Sequence, residues 1–235
     1  MLGPLDYFLW FLTTLLQAGA VFCAIRAKCF LKFLTLNIFL IAACVVNAIR
    51  YYVFLEYGAA SQQYGIVYYY SDTVLTIFLY FALMSLFLHV FRELGASAYI
   101  RTGAGLLLVA MAGISFFIVH QSQHRLFTRF AFELSQVLYF VGAVLTYLLW
   151  GAVLKLKKTQ TRIIQIILAL GIYFSAFAAS YALGNIYGRS YGGFWRVVCY
   201  AAAIWLPVAW AYAFLKFPAT AQLAPAQLAA RAGAK

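Results

Sequence analysis

Seven long apolar stretches, parted by short polar gaps, occupy almost the whole of this 235-residue chain. One α-helix needs about 20 apolar residues to cross ~30 Å of hydrocarbon. Only helices and closed barrels satisfy their own backbone hydrogen bonds there. The stretches fall at 4–25, 33–55, 66–90, 103–119, 131–154, 163–187 and 196–217. Each is apolar all round rather than along one stripe, as a helix in lipid is, and none shows the short alternating segments of a barrel. The expected fold class is all-α: a polytopic integral membrane bundle of seven helices over residues 1–217. An Ala-rich cytoplasmic tail, 218–235, is expected to be mobile.

The composition leaves little else to build. The chain is 66% hydrophobic and 9% charged, against about 45–50% and about 25% in soluble domains. Seven spans leave only short loops, with no room for a soluble enzymatic or output domain. The net charge of +12 comes from basic residues gathered in alternate gaps. Arg26, Lys28 and Lys32 follow the first span, and Arg92 and Arg101 the third. Lys155, Lys157, Lys158 and Arg162 follow the fifth, with Lys216, Arg231 and Lys235 at the end: 12 of the 17 Lys and Arg. The positive-inside rule then places the N-terminus outside and the C-terminus in the cytoplasm, with a bacterial cytoplasmic membrane as the expected location. Anionic headgroups are the expected partners of the basic loops; nucleic acid is not. A cleaved signal peptide is not expected, because the first span is too long, lacks a basic start and follows Asp6. Cys23, Cys29, Cys44 and Cys199 show no paired spacing.

Two outer loops resemble each other: Tyr57-Gly58 and Tyr64-Gly65 in one, Tyr187-Gly188 and Tyr191-Gly192 in the other. With basic loops before both, they hint at a 3+1+3 duplication in which the fourth span is a linker; membrane topology alone also produces such loops. Span six carries small residues at four-residue spacing, Gly171-Ser175-Ala179 and Ala176-Ser180-Gly184. Rows of this kind let helix backbones approach closely in lipid. Pro207 should kink span seven.

Ionisable residues inside a membrane are costly and rarely face lipid. Arg50, Asp72 and Glu133 qualify, the first two roughly 8–10 Å below the outer ends of their spans at 1.5 Å per residue. Polar neighbours extend each of them along one helix face: Asn47 with Arg50; Tyr69, Thr76 and Tyr80 with Asp72; and Gln136 and Tyr139 or Phe140 with Glu133. Three such stripes at one depth are expected to converge between helices two, three and five, either as an outward-open ligand pocket or as a structural ion-pair network. At the inner end of span three, His89, Arg92 and Glu93 form a charged cluster suited to coupling with a cytoplasmic partner, or a solvated helix end.

No catalytic residue or metal site is expected. His120 and His124 have no third ligand beside them, and there is no HExxH, GxSxG or Walker loop. A retinal Schiff base is disfavoured because every lysine lies outside or at the end of a span, and a transmembrane haem because His89 and His120 fall at opposite faces. Lipid, quinone or carotenoid binding leaves no readable motif and stays open.

Tyr68-Tyr69-Tyr70-Ser71-Asp72 opens a long apolar helix that closes on Phe91-Arg92-Glu93. With Leu9-Trp10 and the basic first inner loop, this resembles uncharacterised seven-helix membrane proteins of bacteria. It is also loosely similar to the seven-helix sensor regions at the head of some bacterial histidine kinases. That resemblance implies a sensor-like bundle, although this chain stops about 18 residues after the last span, with no kinase attached. The expected function is a non-enzymatic sensor-like or accessory subunit that acts through helix packing with membrane-protein partners or with its own copies. A small 3+1+3 solute facilitator is the alternative.

Overall fold

The structure, a computed structural model, describes residues 4–58, 60–91, 97–120, 126–155, 161–187 and 192–217. These form seven helices: α1 (Pro4–Arg26), α2 (Leu34–Tyr57), α3 (Gln62–Val90), α4 (Ser97–His120), α5 (Leu126–Lys155), α6 (Thr161–Tyr187) and α7 (Gly192–Lys216). All seven are long and apolar enough to cross a membrane. Helices α3, α4, α5 and α7 begin four to six residues before the stretches that apolarity alone marks. The tail from 218, with Arg92 and Glu93, lies outside the described residues.

Helix ends follow local chemistry. α2 stops at Gly58, whose φ of 77° suits a residue without Cβ. Its N–H bonds back to the Phe54 carbonyl. Ser61 then starts α3, its Oγ accepting the Tyr64 N–H at 3.1 Å as an N-cap. The turn joining α1 and α2 is fastened by the buried Asn37, whose Nδ2 donates to the carbonyls of Phe30 and Phe33, both at 3.0 Å.

Neighbouring pairs define the layout. α1 packs on α2, α2 on α3, α3 on α5, α5 on α6, α6 on α7 and α7 on α1, which closes a ring of six helices. α4 stays outside that ring, against α3 and α5. Side-chain pairs give the directions: Tyr7 meets Phe54 while Trp10 meets Tyr51, so α1 and α2 are antiparallel. Tyr69 meets Phe132 while Thr73 meets Ser135, so α3 and α5 run the same way.

The outer faces are apolar, as at Phe11 (70% exposed) and Val109 (71%), and compatible with contact to a bilayer. The interior is filled unevenly. At the end carrying the α1–α2 turn, Phe39 lies edge-on to Trp210 with centroids 6.1 Å apart. Phe33 meets Phe214 at 5.8 Å, and the Trp210 indole donates to the Ile166 carbonyl at 3.4 Å. Arg162, almost fully buried, donates through Nε to the Phe217 carbonyl at 2.8 Å. Its Nη2 reaches the carbonyls of Phe214, at 3.3 Å, and Phe217. The last carbonyls of a helix lack intrahelical donors, so this guanidinium closes α7. Pro207 lies within α7 and withholds the N–H that would otherwise take the Ala203 carbonyl.

Candidate functional site

In the opposite half of the ring the side chains leave a cavity of about 590 Å³. A volume of this order holds a drug-sized molecule. Six helices contribute to its wall. α1 supplies Trp10, Thr13 and Gln17; α2 supplies Phe39, Ala43, Asn47 and Arg50. Tyr64, Tyr68, Tyr69, Asp72 and Leu75 come from α3, and Phe132 and Tyr139 from α5. Tyr173, Phe177, Ser180, Tyr181 and Gly184 come from α6, and Cys199, Tyr200 and Ala203 from α7. The wall spans Phe39 to Arg50 on α2, about 16 Å of helix rise.

Arg50 and Asp72 face each other across this space, Nη2 to Oδ1, at 3.9 Å. Arg50 is held on three sides. Its Nε donates to Ser71 Oγ at 2.7 Å, and its Nη2 to the Tyr68 carbonyl at 3.0 Å. Its guanidinium sits 4.4 Å from the centroid of the Tyr68 ring, in cation–π range. Asp72 is held by phenols: Tyr181 donates to Oδ2 at 2.8 Å and Tyr139 to Oδ1 at 3.5 Å. The carboxylate therefore keeps hydrogen-bond donors around it deep in an apolar bundle, where a bare charge would be costly.

Below and beside this pair the cavity is aromatic. Tyr139 stacks on Phe177 at 4.9 Å and on Tyr181 at 5.6 Å, and Tyr173 leans on Phe177 at 4.6 Å. On the α1–α2 side it is polar: Asn47 Nδ2 donates to Gln17 Oε1 at 3.1 Å and to Thr14 Oγ1 at 3.2 Å. Cys199 Sγ donates to Ser180 Oγ at 3.3 Å on the α6–α7 side. The site offers charge, hydrogen bonds and flat apolar surface.

The residues singled out in the sequence divide accordingly. Asn47, Arg50, Tyr69 and Asp72 line the cavity. Thr76 is buried and turned back to the Asp72 carbonyl at 2.7 Å. Glu133 and Gln136 are half-buried and not part of the lining. On α5 the inward face carries Phe132, Ser135 and Tyr139; of the expected stripe Tyr139 lines the cavity, while Glu133 and Gln136 each lie one position, about 100° of helix rotation, past that face. The cavity is walled by α1, α6 and α7 as well as by helices two, three and five. The mid-span Gln17 was a readable signal for α1, since an amide at that depth seeks a partner; no local pattern marked Tyr173 or Tyr181 of α6.

The small-residue rows of α6 also divide. Gly171 lies against α5, where an added Cβ would be 3.2 Å from Thr146 Cγ2. Ser175 bonds Tyr147 of α5 at 3.0 Å. Ser180 and Gly184 line the cavity instead of a helix contact, with open space around Gly184, and Ala179 is exposed. At the other end of the ring, the His89 ring lies 6.2 Å from that of Phe33, and Lys32 is 5.8 Å from the Phe33 centroid. Burial and the nearby Arg162 charge hold the Lys32 ammonium below the usual lysine range.

Compared with protein families, curated proteins and solved structures, the chain finds no match.

Proposed function

We propose that this chain is a non-enzymatic, sensor-like or accessory membrane protein whose helix ring holds a small molecule. The N-terminus and the cavity mouth face outward, and the basic loops face the cytoplasm. The cavity around Arg50 and Asp72 carries this reading, because six helices contribute to one wall and an occupant touches all of them. A bound molecule that contacts the helices differently in two arrangements shifts the balance between them. Partner membrane proteins then read the packing of the bundle.

The test is native mass spectrometry of the protein extracted from its host in mild detergent, beside a Gly184→Trp variant that puts an indole into the cavity. The expected result is a small molecule that leaves with the wild type and is missing from the variant. Identical spectra for the two proteins, both without a small ligand, defeat the proposal.

A solute facilitator is the second reading. The ring order favours it, since α1–α3 and α5–α7 follow one another around the ring as two triplets with α4 outside. The aromatic fill at Phe39 and Trp210 counts against an open path. Uptake of a polar solute into proteoliposomes, lost in Asp72→Asn, is the result that would establish it.

A further inference from the structure

The Arg50–Asp72 pair is looser than the charge it carries requires. A committed guanidinium–carboxylate pair closes to ~2.7–2.9 Å, often through two parallel bonds, whereas the contact here is 3.9 Å. Each partner is held by other groups, Arg50 by Ser71 and the Tyr68 carbonyl, Asp72 by Tyr181 and Tyr139. A guanidinium has five N–H donors and a carboxylate about four acceptor positions. Among the described residues, the hydrogen bonds that hold the two ions use only part of either set, and both ions line the cavity.

From this geometry we infer that the cavity takes a zwitterion with a flat aromatic body, an aromatic α-amino acid, its carboxylate on Arg50 and its ammonium on Asp72. The inference rests on the small-molecule reading of the cavity and names the ligand class. Charge neutrality in the low-dielectric interior is the argument. Among the described lining residues the site holds one cation and one anion, so a lone cation or a lone anion entering it leaves a net charge buried in the bundle, which is costly. A zwitterion leaves the total at zero and gives each protein charge a partner of opposite sign. The ammonium and carboxylate of an α-amino acid are separated by one carbon, which matches two side-chain charges that stand close together. The aromatic body then meets Tyr139, Tyr173 and Phe177, where Tyr139 stacks on Phe177 and Tyr173 tilts against it, so the wall there is built of flat rings. A zwitterionic phospholipid headgroup shares the charge pattern, but brings two acyl chains where this wall is aromatic.

The experiment measures binding to the purified full-length protein in detergent with four probes on one indole body: L-tryptophan, tryptamine, indole-3-propionate and indole-3-propionamide. Dioleoyl phosphatidylethanolamine is a fifth arm. L-Tryptophan is expected to raise the melting temperature and to bind at least about ten-fold more tightly than the three analogues. In an Arg50→Gln/Asp72→Asn double variant that preference disappears. Tryptamine or indole-3-propionate binding as tightly as L-tryptophan overturns the inference, as does stabilisation by the phospholipid in place of L-tryptophan. Silence from all five probes also overturns it. If the host-extracted protein nevertheless carries a small molecule that Gly184→Trp removes, the cavity reading stands and only the zwitterion falls.

Discussion

Arg50 of α2 and Asp72 of α3 lie 3.9 Å apart with side chains only 11% and 10% exposed. Breaking such a pair from one side strands the other charge, at a cost of about 3–5 kcal/mol when burial is complete. With this looser contact, Asp72→Asn or Arg50→Gln alone should lose about 3 kcal/mol of stability. The double variant should recover most of that loss, because no lone charge remains. Thermal melts of the four proteins in one detergent measure the coupling, and a double variant as weak as the sum of the singles would contradict it.

Gly142 and Gly184 separate packing from open wall. A Cβ at Gly142 would fall far inside van der Waals contact of Phe174 Cε1, whereas one at Gly184 meets nothing within 4 Å. Gly142→Ala should cost about 1–3 kcal/mol as α5 and α6 are forced apart. Gly184→Ala should be neutral or slightly stabilising, since alanine is the better helix former. The melting temperatures should therefore differ between two chemically identical changes.

Arg162 is the clasp on the C-terminus of α7. Its bonds to the carbonyls of Phe214 and Phe217 are charge-assisted, and such bonds contribute about 1.5–3 kcal/mol. Arg162→Met should lower stability by roughly that amount and speed amide exchange in the last turn of α7. Arg162→Lys should rescue little, because an ammonium lacks the planar fork that spans two carbonyls. Equal exchange rates at residues 213–217 in wild type and Arg162→Met would show that the clasp does nothing.

Lys32 is exposed on the turn between α1 and α2, yet burial and the Arg162 charge lower its pKa in the folded protein. Between that lowered value and the ordinary lysine value near 10.4, the unfolded chain binds more protons than the folded one. Stability from this group therefore rises with pH across that window. Melting temperatures from pH 8 to 10.5 should climb less steeply in Lys32→Met than in the wild type. A variant with the wild-type slope would remove Lys32 from the account.

Hydropathy made the seven helices readable, because a membrane span must be apolar all round and the loops must not be. The same property hides which helices are neighbours: a face turned to lipid and a face turned to a partner helix look alike in sequence. Arg50 and Asp72 were legible since a charge at that depth needs an explanation, and Asn47 since it shares a face with Arg50. On α5 the stripe of Glu133 and Gln136 with Tyr139 or Phe140 met the cavity only at Tyr139, because the acidic Glu133 drew attention away from Phe132. Tyr181 donates to Asp72 from 109 positions further along the chain, a pairing that no local pattern announces. Gly142 gave no signal either, since its role depends on where one ring of α6 comes to rest.

The exclusion of α4 from the ring has a mechanical consequence. Consecutive helices in the wall are separated by only four to seven residues, whereas two neighbouring pairs, α3 with α5 and α7 with α1, are not consecutive. At the first of these the chain detours through α4, and at the second the first and last helices pack together with no segment linking them. Widening the wall at either place stretches no short link, while widening it anywhere else pulls one taut. Compliance is thus concentrated on two opposite sides of the barrel of helices, and the chain is a pair of three-stave clamps hung on one outrigger.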